Sequence, residues 1–550
     1  MLTGAVGLAG IPGILLVGAA WCYLLPGERR QLGRLVAGLA LSAAAALAVS
    51  LAVAVSRGAV VEGSFGEVVP GLGLLLRGDS LGVTVSLIAL LAGGLSLLET
   101  RRRPREEAAI LICVAGSCVA ALGGNAVLLF GGAEMGNIGA LLLIASGRGR
   151  VGRGALLAFV IEHGALLGLL LPAAWLQAIS GTSDFTALPA GVLSWPLALP
   201  WAVAGAVRML ALAIAPGARE PRTSRAWVAA AAVPTAAVIL LRLREAEGIA
   251  APAAVTVALA VIGGATAIWG AHLAWRWAGD PRLAGRGLLI SAAGWPVALA
   301  GVANADAAVA VAFVALEIAV LAAPAWGLIA GAGRWGRILA ALALLIAGGL
   351  PLGLGTSATI LGLGVAASQG RVAVPLLVAL GWAAVVATAA SLRAARAVVA
   401  GGGPREQPVR LDALAAVVLS LVAAVAPGGA AVLTVGPLVG GAAVDSPDAG
   451  TIRGPGATWP GGYIVVAALL LALAVMSVAL LLDRRLPRAT IGGSMLRPSP
   501  WVRGLGVRRR LGTGLRVVPG WIERIDEWLI PQPQFGFALV GAFAALFLLR

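Results

Sequence analysis

Residues 128–147, LLFGGAEMGNIGALLLIASG, form an apolar run that carries a single acidic side chain, Glu134. A bilayer core about 30 Å thick is crossed by about 20 apolar residues in a helix, so this run has the length of a transmembrane helix. An ionisable side chain within lipid is costly and usually faces the interior of a helix bundle. The run therefore predicts a membrane-spanning fold with a polar group inside it.

Runs of the same kind recur along the whole chain. Of the 550 residues, 60% are hydrophobic and 12% are charged, and the mean hydropathy is +0.98. These values exclude a water-soluble globular protein. Sixteen apolar runs can be counted, and the first lacks a basic leader and a cleavage site, so it is predicted to be a retained helix. We predict an all-α polytopic membrane protein with about 14 to 16 transmembrane helices.

The distribution of arginine predicts the orientation in the membrane. All 40 basic residues are Arg. If the odd-numbered loops face the cytoplasm, they hold 32 of the 40, whereas seven lie on the other side and Arg208 lies within an apolar run. Cytoplasmic loops carry an excess of Lys and Arg. We therefore predict a multi-pass protein of the inner membrane with both termini outside the cytoplasm, and attribute the net charge of +16 to this bias rather than to nucleic-acid binding.

Several segments outside the main bundle have their own patterns. Outward loops at 57–79 and 439–460 are long enough to have some structure, the second being irregular in composition. Residues 401–482 are predicted to complete the bundle, 483–533 to form a cytoplasmic basic and amphipathic strap, and 534–550 to form a final transmembrane helix. Within the strap, WIERIDEWLI at 521–530 separates apolar from charged side chains, which suits a helix lying in the membrane interface or packed on a partner subunit.

Six ionisable residues lie within apolar runs and are candidates for a proton path or for ion pairs. They are Glu134, Glu162, His163, Arg208, His272 and Glu317. Glu134 and Arg208 lie on separate runs, so their charges can neutralise each other. For Glu162, His163 and His272 the favoured interpretation is a polar group satisfied by a neighbour. No catalytic residues, metal site or cofactor is predicted, because Cys22, Cys113 and Cys118 favour packing and no nucleotide-binding motif is present.

Three motifs occur in an order that resembles a known family. Residues 71–98 contain Arg77, Asp79, Ser80 and Leu81, related to the pattern R-x-D-G-L-S on a third helix. Residues 280–301 resemble D-x-K-R-L-L-A-Y-S-S-I-S-H-x-G, and residues 348–370 resemble G-x-P-P-x-x-G-F-x-G-K-F. The chain is identified as a divergent relative of the antiporter-like membrane subunits shared by respiratory complex I, membrane-bound hydrogenases and Mrp cation/proton antiporters. The resemblance covers roughly residues 1 to 480.

The resemblance implies a fold with two inverted five-helix repeats and helices broken at the membrane midplane. With it we divide the chain into N-terminal helices at 1–105, a first repeat at 106–245 and a second repeat at 246–400. In the family a glutamate on the fifth helix tunes a lysine on the seventh, and a lysine or histidine on the eighth and a lysine on the twelfth follow. Glu134 resembles the tuning acid.

The departures from the family pattern concern the groups that would carry protons. The lysine of the seventh helix corresponds to Arg208, the eighth-helix position to Thr235, the twelfth-helix lysine to Thr359, and the histidine of S-I-S-H falls near Trp295. Buried lysine can release its proton near neutral pH, whereas arginine stays protonated and threonine does not titrate. The resemblance therefore implies that the second half of the relay has lost its titratable centre, with Glu134 and Arg208 kept as a static ion pair.

These observations together predict the function. We expect a divergent, proton-translocation-type membrane subunit of a complex-I-like or hydrogenase-like respiratory assembly, non-catalytic and mainly structural, with a degraded proton path. Its predicted partners are the lipid bilayer and other membrane subunits, in which any redox chemistry would reside. Two alternatives stay open: an Mrp-type monovalent cation/proton antiporter subunit, and a membrane anchor for a partner protein.

Overall fold

The chain is a helix bundle with one β-hairpin over the residues that the computed structural model describes. These are 4–69, 72–99, 103–145, 153–185, 195–211, 228–247, 253–300, 305–325, 333–349, 374–400 and 418. Eight helices in these ranges are long and apolar enough to cross a membrane, and three more apolar helices are shorter. The prediction of a polytopic helical membrane protein is thereby confirmed.

The described residues form thirteen α-helices. The first seven are α1 (Gly4–Leu24), α2 (Arg30–Val55), α3 (Ser80–Glu99), α4 (Pro104–Leu122), α5 (Ala126–Ala145), α6 (Arg153–Ser180) and α7 (Trp195–Met209). A π-helical turn, Val228–Ala232, leads into α8 (Val233–Glu247). The remaining described helices are α9 (Ala253–Arg276), α10 (Pro281–Ala300), α11 (Ala305–Ala325), α12 (Gly333–Ala347) and α13 (Val374–Ala400).

A two-stranded antiparallel hairpin between α2 and α3 departs from the predicted all-α class. Its strands are β1 (Val61–Val69) and β2 (Leu72–Gly78). The hairpin occupies most of 57–79, where the sequence predicts structure without specifying strands. Asn125 fixes it to the bundle, because its side-chain amide donates to the Gly73 carbonyl at 2.5 Å and its Oδ1 accepts the Leu128 N–H at 2.9 Å.

Two pairs of consecutive helices approach so closely that only glycine fits at the contact. A Cβ added to Gly132 of α5 would lie 2.2 Å from the Ala120 nitrogen of α4, and one added to Gly270 of α9 would lie 2.2 Å from the Ser291 nitrogen of α10. Small residues of this kind let backbones pack closely where lipid provides no hydrophobic drive for association. The backbones of α4 and α5, and those of α9 and α10, are therefore in direct contact.

Some predicted features lie outside the described residues. They are the segments 401–482 (apart from residue 418), 483–533 and 534–550, the loop 439–460, and Thr359. Trp295 is described and lies buried in α10. The domain boundaries stay predictions.

Candidate functional site

Arg208 forms the centre of a buried polar cluster. It lies in the last turn of α7 and is 1% exposed. Its Nη1 donates to Glu162 Oε2 of α6 at 3.1 Å and to Asn137 Oδ1 of α5 at 2.7 Å. Its Nη2 donates to the Ala133 carbonyl of α5 at 3.2 Å, and its Nε donates to the hydroxyl of Thr235 in α8. One guanidinium thus joins four helices.

The local sequence explains how this large side chain is accommodated. Ala133 and Asn137 lie one turn apart on α5, so both face the same side of that helix. Gly136 lies between them, and a Cβ there would lie 3.1 Å from Arg208 Nη2. The absence of a side chain at this position leaves room for the guanidinium.

The acceptor on α8 is positioned by the π-helical turn that precedes it. The Thr235 hydroxyl donates to the Ala231 carbonyl at 2.6 Å, and Ser117 of α4 donates to the Ala230 carbonyl at 2.7 Å. A π-helical turn leaves carbonyls displaced from the regular α-helical pattern, and such turns are frequent at functional sites. Both hydroxyls therefore fix the turn, and with it the acceptor for Arg208.

Glu134 and His163 form a second pair at the edge of the bundle. Glu134 Oε1 lies 2.9 Å from His163 Nδ1. The Glu134 side chain is 13% exposed and that of His163 is 44% exposed. The imidazole also stacks on the Phe159 ring, with centroids 5.9 Å apart. The pair therefore combines a mostly buried acid with an accessible imidazole.

These contacts correct the predicted ion pair. The sequence predicts that Glu134 pairs with Arg208, but the structure pairs Arg208 with Glu162 and Glu134 with His163. The reason lies in α6, where consecutive side chains point about 100° apart. Glu162 consequently points into the bundle while the next residue, His163, points outward and meets Glu134.

His272 and Glu317 lie apart from these two pairs. His272 is on the surface of α9, edge-on to the Trp382 ring at 6.4 Å between centroids. Glu317 is buried in α11, and its Oε1 has no hydrogen-bond partner among the described residues. The structure thus brings four of the six predicted residues into two neighbouring pairs and leaves the other two separate.

The structure contains a further buried ion pair that the sequence does not predict. Arg242 of α8 donates to Asp79 through Nη1 at 2.6 Å and through Nη2 at 3.0 Å. Arg77 Nε lies 3.6 Å from Asp79 and 3.5 Å from the exposed carboxylate of Glu62 in β1. The Phe185 ring lies beside Arg242, 5.7 Å away. The sequence gives one signal for Arg242, which stands in the apolar stretch ILLRL as Arg208 stands in its own, but none for its pairing with Asp79.

Within the described residues, no group of three or more His, Cys, Asp or Glu side chains could hold a metal ion. The three cysteines are buried and unbridged.

The chain shares its fold with several solved membrane complexes. It aligns with a chain of the Mrp complex from Dietzia sp. DQ12-45-1b at a TM-score of 0.71 and 21% identity, over 99% of this chain and 63% of that chain. It therefore spans less than two thirds of that protein. A chain of respiratory complex I from Thermus thermophilus aligns at a TM-score of 0.65 and 17% identity, over 86% of this chain and 99% of that one.

A third likeness is to the membrane-bound sulfane sulfur reductase, an archaeal respiratory membrane complex. The TM-score is 0.63 and the identity 16%, over 99% of this chain and 100% of that chain. The sequence matches no family model and no curated protein. The structural likenesses show the fold, and they confirm the resemblance predicted from the three motifs.

Proposed function

We propose that this chain, which has the fold of the antiporter-like membrane subunits, is a divergent proton-translocation-type subunit of a complex-I-like or hydrogenase-like respiratory assembly. Its role is mainly structural and its proton path is degraded. The observation that carries the proposal is the environment of Arg208. Arginine stays protonated at neutral pH, and this guanidinium is held by acceptors on three other helices. It is a fixed charge that ties helices together.

The Glu134–His163 pair supports a partner within the membrane. The candidate span Phe159–Ser180 contains His163, whose side chain is 44% exposed. A polar ring facing lipid is costly, and such groups usually face protein or a water-filled cavity. Another membrane subunit that covers this face of α5 and α6, and offers the imidazole a polar group, would remove that cost. Other membrane subunits are therefore the proposed partners.

Glycine spacing supports the proposed division into two inverted repeats. In α5, Gly132 and Gly139 face α4; in α10, Gly287 and Gly294 face α9. Both pairs are seven residues apart, which is the spacing expected if α4–α5 and α9–α10 are equivalent hairpins of the two proposed repeats. When the glycines are matched, Glu134 of the first hairpin corresponds to Leu289 of the second, because each follows its glycine by two residues. The second repeat, proposed at 246–400, would therefore have an apolar residue at the position that matches Glu134.

We retain three finer features as part of the proposal. The full chain has about 14 to 16 transmembrane helices, resides in the inner membrane, and has both termini outside the cytoplasm. The arginine bias supports this orientation. The strap at 483–533 would dock a cytoplasmic partner or the membrane surface.

A second candidate function is an Mrp-type monovalent cation/proton antiporter subunit. It is favoured by the likeness to a chain of the Mrp complex, which extends over 99% of this chain. Against it stands the fixed charge at Arg208, since a transporter that exchanges protons needs groups that can release them.

Reconstitution into liposomes distinguishes the structural subunit from the antiporter. The chain, purified with whatever co-elutes, is placed in liposomes with a pH-sensitive dye, and a pH or sodium gradient is applied. We expect no proton flux above that of protein-free liposomes, and no change with Glu134→Gln. A proton flux driven by sodium and abolished by Glu134→Gln would overturn the structural role in favour of the antiporter.

A further inference from the structure

A groove of about 490 Å³ opens on the bundle surface between α9 and α13. Trp269, His272 and Arg276 line one wall, and Trp382 and Val386 line the other. Trp269 is 50% exposed and Trp382 is 46% exposed. Both walls belong to candidate membrane spans, Ala254–Arg276 and Val374–Ala400. The groove therefore faces the surroundings of the protein within or at the edge of the membrane.

The side chains of the groove are ordered from apolar to basic along both helices. On α9, residues 269, 272 and 276 lie at helical spacings of three and four, so they form one stripe that ends at Arg276. On α13, Trp382 packs against His272, and Arg393 lies further toward the helix end with its guanidinium 3.7 Å from the Trp275 ring centroid. The basic ends of the two helices thus coincide.

This gradient matches the chemistry of a phospholipid at the membrane interface. Tryptophan is enriched at that level because its ring is apolar with one polar edge. Arginine presents a planar set of donors that fits a phosphate.

We propose that the groove binds one anionic phospholipid, with an acyl chain along Trp269 and Trp382 and the headgroup phosphate at Arg276 and His272. Charge complementarity favours this occupant over an apolar helix of a partner subunit. Such a helix would cover Arg276 without neutralising it, and an uncompensated charge at a buried contact is costly. The proposal needs only that the chain lies in a bilayer and is independent of the function proposed above.

The test compares lipids that differ in the headgroup alone. The full chain is purified, incubated with phosphatidylglycerol or phosphatidylcholine of identical acyl chains, and analysed by native mass spectrometry for retained lipid. We expect preferential retention of phosphatidylglycerol. The double variant His272→Ala with Arg276→Gln is expected to reduce it about fivefold or more, to the level of phosphatidylcholine. Inorganic phosphate is not expected to compete, since it lacks the acyl chain.

A matched control separates the groove from general surface charge. Arg282→Gln removes an exposed arginine at the same end of the molecule but outside the groove, and it is expected to leave retention unchanged. Tryptophan fluorescence spectra verify that each variant is folded. Equal retention of both lipids, no lipid on the wild-type chain, or an equal loss in Arg282→Gln would each overturn the proposal.

Discussion

Removal of one charge from the buried Asp79–Arg242 pair is predicted to cause a large loss of stability. Asp79 directly precedes α3, and its Oδ1 accepts the Gly82 N–H at 2.7 Å. Both of its oxygens also accept hydrogen bonds from Arg242, which is fully buried. Asp79→Asn keeps the shape of the side chain but converts one acceptor into an amide donor. The guanidinium then stays buried without its counter-charge.

The structure sets the size of this effect. Truncating one partner of a buried ion pair costs about 3–5 kcal/mol. For Asp79→Asn the upper part of this range is expected, because Arg77 lies 3.6 Å from Asp79 and leaves a second cation nearby. Arg242→Met should cost less, about 3 kcal/mol, since Arg77 still neutralises Asp79. The double variant should cost less than the sum, with a coupling of about 2–3 kcal/mol.

The assay unfolds the purified chain in mixed micelles of increasing sodium dodecyl sulfate content. Tryptophan fluorescence monitors the transition, and the free energy of unfolding is the quantity compared. Glu62→Gln is the matched control, because Glu62 contacts the same arginine cluster through an exposed carboxylate 3.5 Å from Arg77. It should cost about 0–1 kcal/mol. The reasoning is refuted if Asp79→Asn costs no more than Glu62→Gln, or if the two single changes simply add in the double variant.

Three other changes test the packing that positions the site. Gly270→Ala should lower the yield of folded protein, measured by size-exclusion chromatography, because its Cβ would lie 2.2 Å from a backbone nitrogen of α10. Gly279→Ala is the control and should leave the yield unchanged, because no atom lies within 4 Å of its Cβ position. Asn125→Ala should speed hydrogen exchange in β2, measured by mass spectrometry, while the helices stay protected. Ser117→Ala should cost about 1 kcal/mol in the same unfolding assay, through the lost hydrogen bond to the π-helical turn.

The sequence predicts the helices and the polar residues within them, but not how these residues pair. Glu134, Glu162 and Arg208 lie on the fifth, sixth and seventh described helices, as their apolar runs predict. The choice of partner depends on the rotation of each helix about its axis, which packing sets. Because the helices are apolar on nearly all sides, periodicity does not indicate which face turns inward. For this reason the sequence pairs Glu134 with Arg208, whereas the structure pairs Glu134 with His163 and Arg208 with Glu162.

The hairpin and Arg242 show a second limit. Alternation in VEGSFGEVV is weak, and its glycines are equally typical of a loop, so only the pairing with β2 makes it a strand. Arg242 lies only a few residues before the end of α8, where an arginine is usually solvated. Its burial depends on Asp79, which is 163 residues away in sequence. Contacts of this separation are not visible in local patterns.

The environment of Arg208 argues against a relay at this position. A group that passes protons must be able to lose its charge at little cost, so it needs few and adjustable acceptors. A group that holds helices together needs many fixed acceptors, and Arg208 has them on α5, α6 and α8. Five donors in a planar fork suit arginine to this second role, whereas the single ammonium of lysine could not reach the same set. Arginine at 208 therefore strengthens the bundle by the same contacts that prevent proton release. Any proton exchange that this part of the bundle retains is expected at Glu134 and His163, where the imidazole is accessible.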